Sequence, residues 1–181
     1  MKQVVEFLTL LHENNDKAWF DSHKEMYKRA LSCFEVFTAK LIDGIAAFDP
    51  SVRGLTVKDC TWRIYRDTRF SLDKTPYKTY FSAAFCPQGR KAVMAGYYLH
   101  MGPDVESNEF SCGVYGGLWN PDAAMLRKMR RAIVDNIEEW EEIVRDKHIE
   151  RLYPGWCGDS LKTIPKGWDR NHPQAEYLSL I

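Results

Sequence analysis

The spacing of apolar residues changes period twice along these 181 residues, and that change constrains the fold more than any single motif does. Val4, Phe7, Leu8 and Leu11 recur at helical spacing and predict a short amphipathic helix over residues 3–13. Asn14-Asn15-Asp16 ends it and offers a cap for the next helix. Phe20, Tyr27, Leu31, Phe34, Thr38, Leu41 and Ile45 then mark one face of a long helix over 17–47, which Phe48-Asp49-Pro50 stops. The period now shortens. Segments 58–66, 80–86, 93–101 and 108–115 are rich in Tyr, Phe, Val and Trp and are separated by Gly, Pro and Asp. They read as four short strands, antiparallel because some connections are too short for a helical crossover.

Helical spacing returns at Asn120-Pro121-Asp122, where Asn is placed to cap and Pro to take the first helical position. Leu126, Met129 and Ile133 mark its apolar stripe, Asp135-Asn136 interrupts it, and Ile137, Trp140 and Val144 start another helix. A last helical turn is expected from Gln174. Two N-terminal helices, a central sheet of about four strands and C-terminal helices packed on that sheet make an α+β fold. No repeat, low-complexity tract or linker divides the chain, so residues 1–181 are expected to form one domain.

One segment stands apart chemically. Between Arg63 and Lys78 lie three Arg and two Lys against two Asp, a local charge of +3 in a chain whose formal total is +0. Arg63, Arg66, Arg69, Lys74 and Lys78 are candidate anion ligands, since guanidinium forks and ammonium groups suit phosphate and carboxylate. Tyr65 and Tyr77 are interleaved with them. In the expected strand, Arg63 and Tyr65 share one face, and Trp62 and Ile64 the other. Asp67 and Asp73 have three possible uses. They orient the cations, act as metal ligands or, with His100, transfer protons.

Four aromatic or imidazole side chains are candidates for a pocket wall. Trp19 and His23 share a helical face, with Tyr27 one turn beyond His23. Tyr98 and His100 share a strand face, and Trp119 follows Gly116-Gly117 just before a helix start. Each has a plainer reading: a helix cap leading into core aromatics for the first pair, and a turn that needs glycine for the last.

A neutral chain does not coat nucleic acid or an anionic membrane by long-range attraction, although interleaved basic and aromatic residues leave single strands as a lesser alternative. The expected partner is a small anionic ligand. No apolar run approaches membrane-spanning length, and the N-terminus carries no signal peptide. Five widely spaced Cys with no Cys-x-x-Cys indicate free thiols and a cytoplasmic setting. The five His show no metal-ligand spacing, and no cofactor fingerprint is present, so no metal or cofactor is expected.

Three functional readings stand. The first is a module that binds a phosphate-bearing or other anionic molecule. The second is a hydrolase or transferase acting on a phosphorylated substrate. The third is a structural or interaction protein whose charged segment is an internal brace.

The run from Arg63 to Ser71 continuing into Asp73-Lys74-Thr75-Pro76-Tyr77-Lys78 resembles a block of an uncharacterised bacterial family catalogued as domain of unknown function 2461. Asn14-Asn15 with Trp19-Phe20 and Tyr27, Tyr98-Leu99-His100, Gly116-Gly117-Leu118-Trp119 with Pro121, and Pro165-Lys166-Gly167 with His172-Pro173 complete the resemblance in order. It implies a single-domain, cytoplasmic bacterial protein with no agreed activity, substrate or cofactor, and hence no catalytic residues to carry over. It also implies a further C-terminal segment beyond the point matching Ile181, which this chain is expected to lack.

Overall fold

The computed structural model describes residues 1–92, 94–103, 109–118, 120–152 and 160–179. Trp119, one of the pocket-wall candidates, lies outside the described residues, as do the first residues of two expected strands, Val93 and Asn108. The fold is α+β, with eight helices and a three-stranded antiparallel sheet among the described residues. The backbone groups into two compact units, Met1–Trp119 and Asn120–Ile181.

The first unit opens with α1 (Lys2–Glu13), whose stripe Val4, Phe7, Leu8 and Leu11 is fully buried. Asp16 caps α2 (Lys17–Ser22), its carboxylate accepting from the Trp19 N–H at 2.9 Å. The expected 17–47 helix is broken at His23, after which α3 runs from Lys24 to Ala46. His23 stacks on Trp19 with ring centroids 4.1 Å apart, and its Nδ1 donates to the Trp19 carbonyl at 2.8 Å. The side chain thus satisfies a carbonyl at the end of α2 and turns the chain without Gly or Pro.

The expected strand over 58–66 is replaced, which corrects the strand count. Thr56 and Asp59 form a capping box: the Thr56 hydroxyl accepts from the Asp59 N–H at 3.3 Å, and the Asp59 carboxylate from the Thr56 N–H at 2.9 Å. This starts a helical turn, α4 (Val57–Cys60), where alternation predicts strand. Over residues 61–66 the backbone pairs through two isolated bridges, Thr61 with Ala83 and Tyr65 with Tyr77.

The sheet itself is β1 (Phe81–Phe85), β2 (Gly96–Pro103) and β3 (Phe110–Gly117) in the order β1-β2-β3. Its register pairs Phe81 with Met101, Ser82 with His100 and Ala84 with Tyr98, and on the other side Tyr98 with Tyr115 and His100 with Gly113. Alternation then separates two faces. Phe81, Ala83, Phe85, Leu99 and Met101 are buried against α1 and α3, where Phe7 and Phe34 meet Phe81 at 6.2 and 5.2 Å between centroids. Each such buried aromatic contributes about 1.5–3 kcal/mol through burial alone. The opposite face carries Ser82, Ala84, Tyr98, His100 and Tyr115.

In the second unit, Asp122 caps α5 (Ala123–Asp135), accepting from the Met125 N–H at 2.7 Å. The expected cap, Asn120, sits instead at φ 48°, a left-handed conformation that Asn tolerates. The Asn136 side chain closes α5 by donating to the Ala132 carbonyl at 2.9 Å, and α6 runs from Ile137 to Val144. After α7 (Lys147–Leu152), the short α8 (Ala175–Ser179) is held to α5 where Arg130 Nε donates to the Leu178 carbonyl at 2.8 Å.

Candidate functional site

The charged segment folds as a hairpin-like loop projecting from the core. Its base is the Tyr65–Tyr77 bridge, reinforced by Arg66 N–H to the Pro76 carbonyl at 3.0 Å and Lys78 N–H to the Ile64 carbonyl at 2.8 Å. Ile64 and Tyr77 anchor that base; each is no more than 5% exposed. Asn15 pins it from outside, its amide donating to the Tyr77 carbonyl at 2.9 Å and accepting from the Tyr77 N–H at 3.2 Å. Phe20 stacks on Tyr77 with centroids 4.0 Å apart and meets Tyr65 at 5.9 Å. Tyr77 is therefore a core residue, whereas Tyr65 keeps 44% of its surface in solvent.

Beyond the base, most of the charges turn inward on one another. Arg66 Nη1 donates to Asp73 Oδ2, to the Thr75 hydroxyl and, at 3.1 Å, to the Thr75 carbonyl. Asp73 Oδ1 accepts from the Thr75 N–H at 2.9 Å. That backbone donor, then Arg66 and the Thr75 hydroxyl, hold the Asp73 carboxyl down at about 2. Arg69 makes a two-point contact with Asp67, Nε to Oδ1 at 2.9 Å and Nη2 to Oδ2 at 2.6 Å, which lowers the Asp67 carboxyl. Lys74 Nζ donates to the Thr68 carbonyl at 2.9 Å. These contacts close a tight turn whose tip presents Phe70 and Leu72, 95% and 102% exposed.

Two cations are tied to that network by no hydrogen bond or ion pair, although Arg63 lies close enough to Asp67 to help hold its carboxyl down. Arg63 is exposed, and Lys78 is half-buried; neither has a hydrogen bond or ion pair with a carboxylate among the described residues. Burial, then repulsion from Arg63, lowers the Lys78 ammonium below its ordinary value. Lys78 Nζ lies 5.9 Å from the centre of the Tyr80 ring.

Tyr80 links this cation pair to the sheet face that carries Ser82, Tyr98 and His100. Its ring centroid is 4.7 Å from that of His100, which is 6.4 Å from Tyr98, and Tyr98 meets Trp62 at 6.1 Å. The Tyr98 phenol is hydrogen-bonded to Ser82, and burial raises its pKa. Gly102 permits the approach of Tyr80. A Cβ there would stand 2.5 Å from the Tyr80 Cβ and 2.8 Å from the Thr79 carbonyl oxygen.

The segment thus separates into a self-paired group (Arg66, Asp67, Arg69, Asp73, Lys74) and an unpaired group (Arg63, Lys78). Trp19 and His23 belong with neither. Trp19 packs on Phe7 at 6.3 Å, and His23 borders an open hollow of about 440 Å³ with Gln3, Glu6, Ser22, Glu25, Met26 and Arg29. A second hollow, about 360 Å³, lies near Cys33 and Val36, and no residue of the charged segment lines either. Sequence reasoning missed Asn15 as a clamp, Thr75 as the partner of both Arg66 and Asp73, and Tyr80. Only Tyr80 carried a signal, as the aromatic two residues after Lys78.

Cys33, Cys60, Cys86 and Cys112 are free thiols, and burial pushes Cys60 up to about 11, far from a reactive thiolate. Among the described residues no three His, Cys, Asp or Glu side chains are grouped to hold a metal ion, and no helix is long and apolar enough to cross a membrane.

An α+β protein with an aromatic sheet face and a braced basic loop is the class that fold and site define. The chain matches the family described as conserved hypothetical protein (DUF2461) over residues 3–180, and it belongs to that family. No curated protein and no solved structure matches it.

Proposed function

We propose that the protein is a binding module for a small phosphate-bearing or otherwise anionic molecule, and that Lys78 and Arg63 form its anion subsite. The observation that carries this reading is the pair itself. Lys78 is partly desolvated beside a second cation, with no carboxylate to compensate it among the described residues. A half-buried ammonium held near a like charge costs free energy, and an anion placed beside it removes part of that cost. Free thiols are in keeping with a reducing, cytoplasmic setting.

The test is nuclear magnetic resonance of the Lys78 side-chain nitrogen during titration with inorganic phosphate. Phosphate should raise the depressed Lys78 pKa and shift its resonance saturably. A Lys78 resonance indifferent to phosphate, with its pKa unmoved, refutes the assignment.

A second reading is favoured by the self-paired group: residues 66–75 act as a structural brace. Arg66, Arg69, Asp67 and Asp73 already satisfy one another, so they serve as the frame of the site and not as ligands. The same pairing counts against proton transfer by Asp67 or Asp73. Both carboxyls are held below the ordinary range, the opposite of what a general acid at neutral pH requires. A hydrolase or transferase acting on a phosphorylated substrate therefore remains the weaker alternative.

A further inference from the structure

We infer that the outer edge of β3 is an interaction surface, and that its occupant is the same strand of a second copy of this chain, paired antiparallel about a two-fold axis at Val114. The two sheets then join as one, in the order β1-β2-β3-β3-β2-β1.

The two edges of the sheet differ. At β1 the edge is closed: Thr61 bridges to Ala83, and all five residues of the strand are buried. At β3 it is open. The strand pairs with β2 along its whole length, and among the described residues its outward backbone groups bond to no further backbone. Every second residue of an edge strand turns its N–H and C=O outward, ready to template another strand. Cys112, Val114, Tyr115, Gly116 and Gly117 are exposed, Val114 at 74% and Tyr115 at 54%. Edge strands are commonly blunted by Lys, Pro, a bulge or a very short length. β3 has none of these. It spans eight residues, Phe110 to Gly117, pairs one-to-one with β2, and contains no charged residue and no proline.

The residues of the strand select a second copy as the occupant. A two-fold antiparallel pair sets each outward-bonding residue opposite another, so the axis passes at a residue and not between two. With the axis at Val114, Gly113 lies opposite Tyr115, Gly116 opposite Cys112 and Gly117 opposite Ser111. Each glycine of the strand then faces a side chain. An axis at Gly113 or at Tyr115 sets glycine against glycine. At Val114 the two exposed valines meet, and β-branched side chains suit such cross-strand contacts. No like charges oppose one another anywhere along the pair. A two-fold contact closes on itself, so it makes a dimer and not a fibre.

The experiment is analytical ultracentrifugation of the full chain, paired with amide hydrogen exchange. The mass should rise from that of one 21.1 kDa chain toward twice that value as concentration approaches about 1 mM. The outward amides of residues 110–117 should gain protection over the same range. Val114→Lys, at an exposed position that does not threaten folding, should weaken dimerisation about tenfold or more, because it sets like charges opposite each other on the edge. Val114→Thr keeps the β-branch without a charge and should dimerise as the wild type does. A one-chain mass throughout overturns the assignment. If every amide of residues 110–117 is protected in that monomer, the edge is covered from within the chain. A dimer that Val114→Lys leaves unchanged lies on another surface and overturns it equally. So does a loss in Val114→Thr as large as that in Val114→Lys.

Discussion

Arg66 and Asp73, seven residues apart, meet across the neck of a loop, the guanidinium donating to one carboxylate oxygen while the other accepts the Thr75 N–H at 2.9 Å. The pair converts what sequence presents as a cluster of available cations into a closed frame. With Arg69 held by Asp67 and Lys74 by a carbonyl, Arg63 and Lys78 are the cations of the segment that make no hydrogen bond or ion pair among the described residues. Exposed ion pairs contribute little to global stability, so the consequence of this frame is local order.

Asp73 gives that frame a pH limit. Its folded-state pKa, about 2, lies below the ordinary Asp value, so its contribution is complete above about 4. It is lost as pH falls through about 2. Carboxyl-carbon resonance titration should find Asp73 ionised well below the other exposed carboxyls. In Asp73→Asn, proteolytic cleavage within residues 67–74 should be about tenfold faster at neutral pH, as expected when a pinned loop opens. Cleavage at the wild-type rate would mean that the contact does not order the loop.

Asn15 holds the loop base to the helical layer. Asn15→Ala leaves the N–H and C=O of the buried Tyr77 without partners, at a cost of about 1–3 kcal/mol in urea denaturation. Asn15→Asp should destabilise too, because a carboxylate accepts from the Tyr77 N–H and cannot donate to its carbonyl. A variant as stable as the wild type would contradict the clamp.

Much of the fold is legible in the sequence. The apolar stripes place α1 and α3, and alternation places three strands, because burial of one face imposes a period directly. Two features run against that logic. At His23 the helix breaks where the His23 imidazole and the Ser22 hydroxyl both bond to the Trp19 carbonyl, side-chain contacts that no periodicity encodes. At residues 57–60 a four-residue capping box outweighs an alternating pattern; Thr56 and Asp59 carried the signal, but neighbouring strand formers masked it. The site is legible in composition and not in pairing. Arg69 takes the Asp two residues before it, whereas Arg66 takes the Asp seven residues after it. That choice depends on the path of the backbone between them.

Lys78 should be a residue that function retains at the expense of stability. Its folded-state pKa is lowered, so the unfolded chain holds the proton more strongly, and stability rises with pH as Lys78 passes through its folded value. At neutral pH the desolvated charge is a standing cost. In phosphate-free buffer, Lys78→Met should raise Tm by about 2 °C, the scale of a modest surface stabilisation. A fall in Tm would mean that the ammonium has a compensating partner.

Phe70 and Leu72 are almost fully exposed, so their substitution uncovers little surface. The double variant Phe70→Ser and Leu72→Ser should change unfolding free energy by less than about 0.5 kcal/mol, as at other surface positions. A larger loss would place these side chains in the core of the folded protein.

The division of labour within the segment is tested most directly by thermal denaturation against increasing inorganic phosphate in two double variants. Phosphate that binds only the folded chain raises Tm with the logarithm of its concentration. The wild type and the Arg66→Ala, Arg69→Ala variant should both show that rise. The Arg63→Ala, Lys78→Ala variant should be flat. A flat wild type, or a response lost with Arg66 and Arg69 but retained without Arg63 and Lys78, would contradict the account.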